Sequence, residues 1–414
     1  DPEIVRTIMT DPTDIYPKND LMVGALEPLV GDSIFVSSGD TWRRQREMID
    51  PAFSHMRINE AFGSMRAAVD DYQDHLDGLA ESGESFSLDL AMSHLTADVI
   101  CRTVFSTSLQ SQTARDVFEA FTVFERSVAH VELRRLIFEP AWSDVPQHDE
   151  VLDACDRIRR HLGELLDTHL DAERRAQDGD REAAPGTACP YSDIASSVIA
   201  ARDRRTGQGF TRKELIDQLG VFFLAGHETT ASVLTWAFFI LATQRDVLTR
   251  MRAEIDAVVG HGEIEFEHIK RLPYIRNVFK ETLRLYPPIT FIPRVAAEDT
   301  KIGRFKVKRG AMIMIAPWTI HRHRDLWENP HAFDPDRFSP ERQHSLISGA
   351  YLPFGQGQRV CVGKAFATVE ATLILARLAR RFDFEPLDAH RVRPAARLTT
   401  RPAEQIICRV RCRS

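Results

Sequence analysis

Pro353-Phe354-Gly355-Gln356-Gly357-Gln358-Arg359-Val360-Cys361-Val362-Gly363 runs directly into the helical pattern Lys364–Phe382. A cysteine that follows a glycine-rich loop and sits at a helix N-terminus meets exposed backbone N–H groups and the positive end of the helix dipole, both of which stabilise a thiolate. The glycines let the backbone come close to a flat group. A phosphate cradle is another use of such a loop, but no Gly-Lys-Ser/Thr follows. Residue chemistry alone leaves two readings of Cys361, a thiolate ligand or an inert core cysteine.

One step outward, Gln218–Gln244 carries a single charge, Glu228, over 27 residues. That is long enough to cross a bilayer, yet a charged centre is costly in lipid. A helix apolar all round is also what the core of a large protein needs, and a core helix is the expectation. Thr211 and Glu214 form a capping box that starts it. Over Thr211–Thr243 it would run about 50 Å at 1.5 Å per residue. In its middle, Ala225-Gly226-His227-Glu228-Thr229-Thr230 interrupts the apolar run. Gly226 removes bulk, and a threonine hydroxyl can bond a carbonyl one turn back and loosen the ladder. Glu228 and Thr229 offer an acid and an alcohol for proton transfer. The plainer alternatives are back-bonded threonines and a paired core acid. A buried acid is expensive, which adds weight to function.

The rest of the chain frames this helix. Three- and four-residue apolar spacing predicts helices over Asn59–Ala80, Leu88–Phe105, Val151–Arg175 and Lys213–Thr243. Strands are sparse and late. Ile302–Val307 and Ala311–Ile315 about the turn Arg309-Gly310 read as one hairpin, and Arg397–Thr400 with Gln405–Val410 as another. Asp171–Pro190 reads as a helix end and a mobile loop, and Asn329–Pro340 as a meandering loop. The expected class is mainly α with small β-sheets (α+β), in one domain over 1–414. The 414 residues are 43% hydrophobic and 27% charged, which excludes a disordered chain. A net charge of −7 argues against general nucleic-acid binding. Six scattered cysteines without a C-x-x-C pair suggest no zinc ribbon and no disulfide framework. His321-x-His323 lacks a third ligand and is a weak metal signal.

Two further motifs carry chemistry. Glu281-Thr282-Leu283-Arg284 puts acid and guanidinium on one helix face, a pair worth little if it is merely exposed. Trp42-Arg43-Arg44-Gln45-Arg46 places Trp42 and Arg46 on a shared face. Their indole N–H and guanidinium suit carboxylate acceptors.

Phe354-x-x-Gly357-x-Arg359-x-Cys361-x-Gly363 resembles the heme-binding loop of the cytochrome P-450 family. Three more motifs resemble that family in order: the E-x-x-R of Glu281 and Arg284 with Arg337, the Ala225–Thr230 oxygen-activation segment, and the W-x-x-x-R of Trp42 and Arg46. The resemblance covers nearly the whole chain. It implies the cytochrome P-450 fold, with the long helix crossing a heme b (iron protoporphyrin IX) whose iron is held by Cys361, a ligation that favours O–O cleavage. Carried over residue by residue, the cofactor contacts are Trp42, Arg46, Ala225, Arg294, Phe354, Arg359, Cys361, Gly363 and Ala367, and the catalytic pair is Glu228 and Thr229. Glu228 stands where the family often has Asp. Glu281, Arg284 and Arg337 would support the cysteine loop.

The activity so implied is a heme-thiolate monooxygenase that takes O2 and a hydrophobic small-molecule substrate. Val221, Phe222, Ala225, Ile289, Thr290, Phe291 and Leu398 are expected to face that substrate. No G-x-G-x-x-G marks a fused reductase, so electrons would come from a ferredoxin with its reductase or from a flavoprotein reductase, docking near Arg43, Arg44 and Lys364. No nucleic-acid partner is expected. A peroxygenase or isomerase is the alternative, and the intact Glu228-Thr229 pair argues against it. Asp1–Thr10 resembles a segment that family members precede with a helix and two strands. The chain therefore reads as N-terminally incomplete, and a heme-binding protein without turnover is the remaining alternative. The expected location is cytoplasmic, in a reducing compartment.

Overall fold

The structure, a computed structural model, describes residues 1–128, 147–177 and 193–413. In chain order its helices are α1 (Pro2–Met9), α2 (Asp20–Val30), α3 (Gly39–Ile49), α4 (His55–Ser82), α5 (Leu88–Phe105), α6 (Gln112–Val128), α7 (Asp149–Gln177), α8 (Ile194–Ile199), α9 (Arg212–Thr243), α10 (Arg245–Val258), α11 (Phe266–Ile269), α12 (Pro273–Leu285), α13 (Pro317–Ile320) and α14 (Lys364–Arg381). The four helices read from apolar spacing are α4, α5, α7 and α9, each within a few residues of its expected ends. Most of the loop expected after Asp171 lies outside the described residues.

Helix α9 shows why spacing and caps suffice for long elements. The Thr211 N–H donates to Glu214 Oε2 at 2.7 Å, and the Glu214 N–H donates back to Thr211 Oγ1 at 3.2 Å. The capping box therefore forms as read. Thirty-two residues follow, about 48 Å at the α-helical rise. From Leu215 to Leu241 its side chains are almost all buried, as a core helix requires. Among the described residues no helix is long and apolar enough to cross a membrane.

The strands are short and antiparallel. They are β1 (Phe86–Ser87), β2 (Ile292–Val295), β3 (Thr300–Ile302), β4 (Phe305–Val307), β5 (Met312–Ile315), β6 (Phe382–Pro386), β7 (Pro394–Ala396), β8 (Thr400–Pro402) and β9 (Ile407–Cys412). Both expected hairpins pair differently. The Ile302–Val307 run folds on itself, β3 against β4, because Gly303 at φ +55° turns the chain inside it. Strand β5 pairs instead with β2, Arg294 opposite Ile313. Near the C-terminus β7 pairs with β8, while β9 lies between β1 and β6. A two-residue alternation announces a strand but does not name its partner.

The backbone divides into two compact units. One gathers Asp1–Pro17, Met65–Thr96 and His227–Ser414; the other gathers Lys18–Ser64 and Ala97–Gly226. The first holds the cysteine loop and every strand among the described residues. Within the second, α7 is fastened by Arg159, which donates to Asp217 Oδ1 at 2.6 Å and to the Leu29 carbonyl at 2.9 Å.

Candidate functional site

The cysteine loop is shaped by its own backbone. The Cys361 N–H donates to the Phe354 carbonyl at 2.9 Å and the Val360 N–H to the Gly357 carbonyl at 3.1 Å. Gly363 is the N-cap of α14, so the exposed Cys361 sits two residues before a helix start, as the sequence indicated. The Ala367 N–H closes the first turn on the Gly363 carbonyl at 2.8 Å. Phe354 is half-buried beside the loop. Gly357 cannot be replaced freely. Its φ is +75°, and a Cβ there would lie 2.3 Å from the Met9 carbonyl oxygen, at the end of α1.

Under the loop lies a buried ionic network. Glu281 and Arg284 of α12 are both 0% exposed at the side chain. All five guanidinium donors of Arg284 are used. Two go to the Glu281 carboxylate, each at 2.7 Å. Three go to the carbonyls of His321, Pro330 and Ala332 at 2.8, 2.7 and 2.9 Å. Arg337 adds a bond to Glu281 Oε1 at 3.2 Å and another to the Asn329 carbonyl at 2.7 Å. The pair at Glu281/Arg284 is therefore not an exposed ion pair of small worth. It staples the 329–337 segment to α12.

His321 links this network to the loop. Its Nε2 accepts the Leu352 N–H at 2.8 Å, so its proton sits on Nδ1, which donates to the Arg284 carbonyl at 3.2 Å. Burial pushes the imidazole down to about 3, which keeps it neutral. With both nitrogens engaged, His321 has no lone pair for a metal. Among the described residues no cluster of three or more His, Cys, Asp or Glu could hold one.

Two guanidiniums stand beside the loop. Arg294, on β2, is buried; it donates to the Pro293 carbonyl at 2.9 Å and lies 3.9 Å from the Met9 sulfur. Burial, with the charge of Arg359 acting in the same direction, lowers its pKa to about 10. Arg359 is partly offset by Asp14 at 3.4 Å. A buried cation facing a second cation calls for anions. An exposed cysteine at a helix start, a glycine backbone and two adjacent guanidiniums fit a heme: sulfur for the iron, cations for the propionates. Arg294→Ala and Arg359→Ala should each weaken heme retention by about 1.5–3 kcal/mol, the worth of a charge-assisted bond. Heme content after dialysis and thermal stability measure this; two variants that keep wild-type heme would remove both residues from the cofactor site.

At the centre of helix α9 the side chains are densely bonded. Glu228 is a paired core acid. Arg401 of β8 donates through Nε to Oε1 at 3.0 Å and through Nη2 to Oε2, and Thr399 Oγ1 donates to Oε1 at 2.6 Å. Arg401 also reaches Ser93 Oγ at 2.9 Å. Gly226 also serves packing. A Cβ on it would lie 2.4 Å from Ile100 Cδ1, so Ile100 of α5 fills the room the glycine leaves. Ala225, Gly226 and Thr229 are half-buried in a stretch of helix, Leu215 to Phe238, whose other residues are buried. Thr230 is buried and donates to Glu370 Oε2 of α14 at 3.2 Å.

The candidates of the Trp42–Arg46 motif lie in the second unit. Trp42 is buried on α3, and Arg46 pairs with Asp50 one turn on at 2.6 Å. Arg43 pairs with Asp40, and Arg44 pairs with Glu214 and packs over the Phe210 ring. The expected basic surface is therefore largely neutralised at those two residues. Of the expected substrate-facing residues, Ile289 and Phe291 are exposed at 38% and 49%. Sequence reasoning missed Arg401 and Glu370. Arg401 lies 173 positions from Glu228 in a segment without a motif. Glu370 did carry a signal, being an acid inside an apolar helix face like Glu228.

Comparison with known proteins agrees with this geometry. The sequence model of the family described as Cytochrome P450 matches residues 1–409. Cyclooctatin synthase of Streptomyces melanosporofaciens is 30% identical over 96% of the chain and 82% of its own length. Cyclooctat-9-en-7-ol 5-monooxygenase of the same organism is 31% identical, covering 93% and 79%. A cytokinin hydroxylase of Arabidopsis thaliana is 30% identical, covering 97% and 75%. A solved cytochrome P450 superposes with a TM-score of 0.82 at 25% identity, over 100% of this chain and 88% of that one.

Proposed function

Because the chain belongs to the cytochrome P450 family, as a heme-containing monooxygenase, we propose that it draws electrons from a separate redox protein and oxygenates a hydrophobic small molecule. When bound, the heme with its thiolate ligand supplies the O2 activation that no side chain can. The observation that carries the reading is the Cys361 loop, held at a helix start and anchored from below through His321 and Arg284. The apolar, exposed Ile289 and Phe291 support an apolar substrate. So does the name of one relative, a monooxygenase of cyclooctat-9-en-7-ol. A ferredoxin with its reductase, or a flavoprotein reductase, is the electron donor in this reading. One domain over 1–414 is part of the same reading.

Within it, Cys361 ligates the iron, Arg294 and Arg359 hold propionates, and Phe354, Gly363 and Ala367 form the surface around the cysteine. Trp42, Arg46 and Ala225 enter through their motifs alone. Thr229 holds a proton donor in place: a half-buried hydroxyl at mid-helix can bind a water and pass its proton on. Glu228 can share in this only when Arg401 releases it, since its oxygens accept from Arg401 and Thr399. Thr229→Ala should keep heme and CO binding, yet NADPH consumption with a surrogate ferredoxin pair should outrun product. Hydrogen peroxide should account for the difference. Wild-type coupling in this variant, with a substrate that lacks hydroxyl groups, would remove Thr229 from proton transfer.

A further inference from the structure

A cavity of about 510 Å³ opens at the surface beside α13. Trp318, Thr319, Arg322, His323, Arg324 and Asp325 line it. That volume lies within the range of small-molecule sites, about 300–1,000 Å³. None of the residues assigned above to the heme or to proton transfer is among its walls.

Arg322 is the fixed part of that wall. Its guanidinium lies 3.5 Å from the centroid of the Trp318 ring and 5.9 Å from that of Tyr286, within reach of cation–π attraction. It donates to the Trp318 carbonyl at 3.3 Å and to the Leu285 carbonyl at the end of α12. Those bonds use two of its five N–H donors. Among the described residues no carboxylate meets the other three. Burial lowers its pKa to about 10. Arg324, two residues on, is exposed and has no ion-pair partner among the described residues. The one acid of the wall is turned to a neighbour: His323 Nδ1 accepts the Asp325 N–H at 3.2 Å, and Asp325 Oδ2 lies 3.9 Å from the same nitrogen. The cavity therefore presents two unmatched guanidiniums and a flat indole.

We propose that this cavity is a binding site for a small planar carboxylate, an aromatic acid being the chemistry that fits it. A half-buried cation without a counter-charge is costly, and an anion relieves that cost. The rigid fork of an arginine meets both oxygens of a carboxylate, which a point anion such as chloride cannot use. The stacked guanidinium and indole add a flat surface on which an aromatic ring gains contact area. The carboxylate sits on Arg322 and Arg324, and the ring lies against that stack. The site stands apart from the monooxygenase reading but has a physical link to the cysteine loop. His321, which precedes Arg322, accepts the Leu352 N–H at 2.8 Å, so a ligand that ties down Arg322 also steadies the turn that anchors the loop.

The test titrates benzoate into the whole heme-loaded chain at neutral pH and fixed ionic strength, with inorganic phosphate and chloride as controls. Calorimetry should show one saturable benzoate site in the millimolar range, and thermal unfolding should shift upward as benzoate is added. Arg324→Ala changes an exposed position, and Arg322→Lys keeps the charge but not the fork. Each should weaken benzoate about tenfold, the worth of one charge-assisted bond. Lys301→Ala, at an exposed cation outside the cavity, should bind as wild type does. Absence of saturable binding to wild type, wild-type affinity in both cavity variants, or equal weakening in Lys301→Ala would overturn the inference. Phosphate or chloride bound as tightly as benzoate would overturn the planar carboxylate assignment. So would a heme absorption shift that follows the benzoate curve, because it would put the probe beside the heme instead.

Discussion

Arg284→Ala will destabilise the protein by about 3–5 kcal/mol, the cost of removing one partner from a buried ion pair. Few single substitutions reach that range without a named mechanism, and here the mechanism is explicit. All five donors of Arg284 are in use at full burial. Alanine would leave Glu281 with only Arg337 and the Asp334 N–H, and it would orphan the carbonyls of His321, Pro330 and Ala332 in the interior. Lysine cannot rescue it, because a single ammonium lacks the planar fork that meets a carboxylate and three carbonyls together. The control is Arg250→Ala. Its bond to Asp336 is also two-pronged, with both contacts at 2.9 Å, but the side chains are 54% and 40% exposed, so the loss should stay under about 1 kcal/mol. Urea unfolding of the two variants side by side measures the contrast. An Arg284→Ala protein within about 1 kcal/mol of wild type would mean that the network is dispensable.

The second large effect is chemical and leaves the fold alone. Cys361→Ser should abolish the thiolate-type absorption of the reduced CO complex and with it monooxygenation. Serine keeps nearly the same shape, yet its hydroxyl does not ionise at neutral pH as a thiol at a helix start can. Because the Cys361 side chain is exposed and outside the buried network, unfolding should be unchanged. The pairing of a lost spectrum with a preserved unfolding curve separates ligation from structure. A variant that retains the wild-type CO spectrum would show that another residue holds the iron.

Local features of the fold were readable from residues. The capping box at Thr211 and Glu214, the ends of α4, α5 and α9, and the cysteine at the start of α14 depend on neighbours within four positions. Partners far apart in sequence were not readable. The hairpin expected across Arg309-Gly310 assumed that adjacent strands pair, but β5 finds β2 instead. Glu228 could be read as a relay acid or as a paired core acid, and the partner that pairs it, Arg401, lies in a distant strand. His321 looked like half of a metal pair, and the backbone groups that occupy both its nitrogens come from Arg284 and Leu352. The resemblance to a family filled part of this gap, since an ordered set of motifs encodes long-range geometry that no single window holds. Glu370 shows the complementary lesson. An acid on an apolar helix face is a visible signal, but its hydroxyl partner, Thr230, lies 140 positions away.

The packing of Met9 against Gly357, with Asp14 on Arg359, also has a meaning in time. A ribosome adding about 5–20 residues per second would take roughly 20–70 s to travel between these two contact points. Until Ile302, Ile315 and Leu352 are made, the apolar Val5, Ile8 and Met9 of α1 lack most of the cluster they pack into and stay exposed to chaperones and proteases. The glycine-rich loop, in turn, takes its shape from a segment made long before it. Cofactor capture is thereby tied to the moment when these two distant parts of the chain meet.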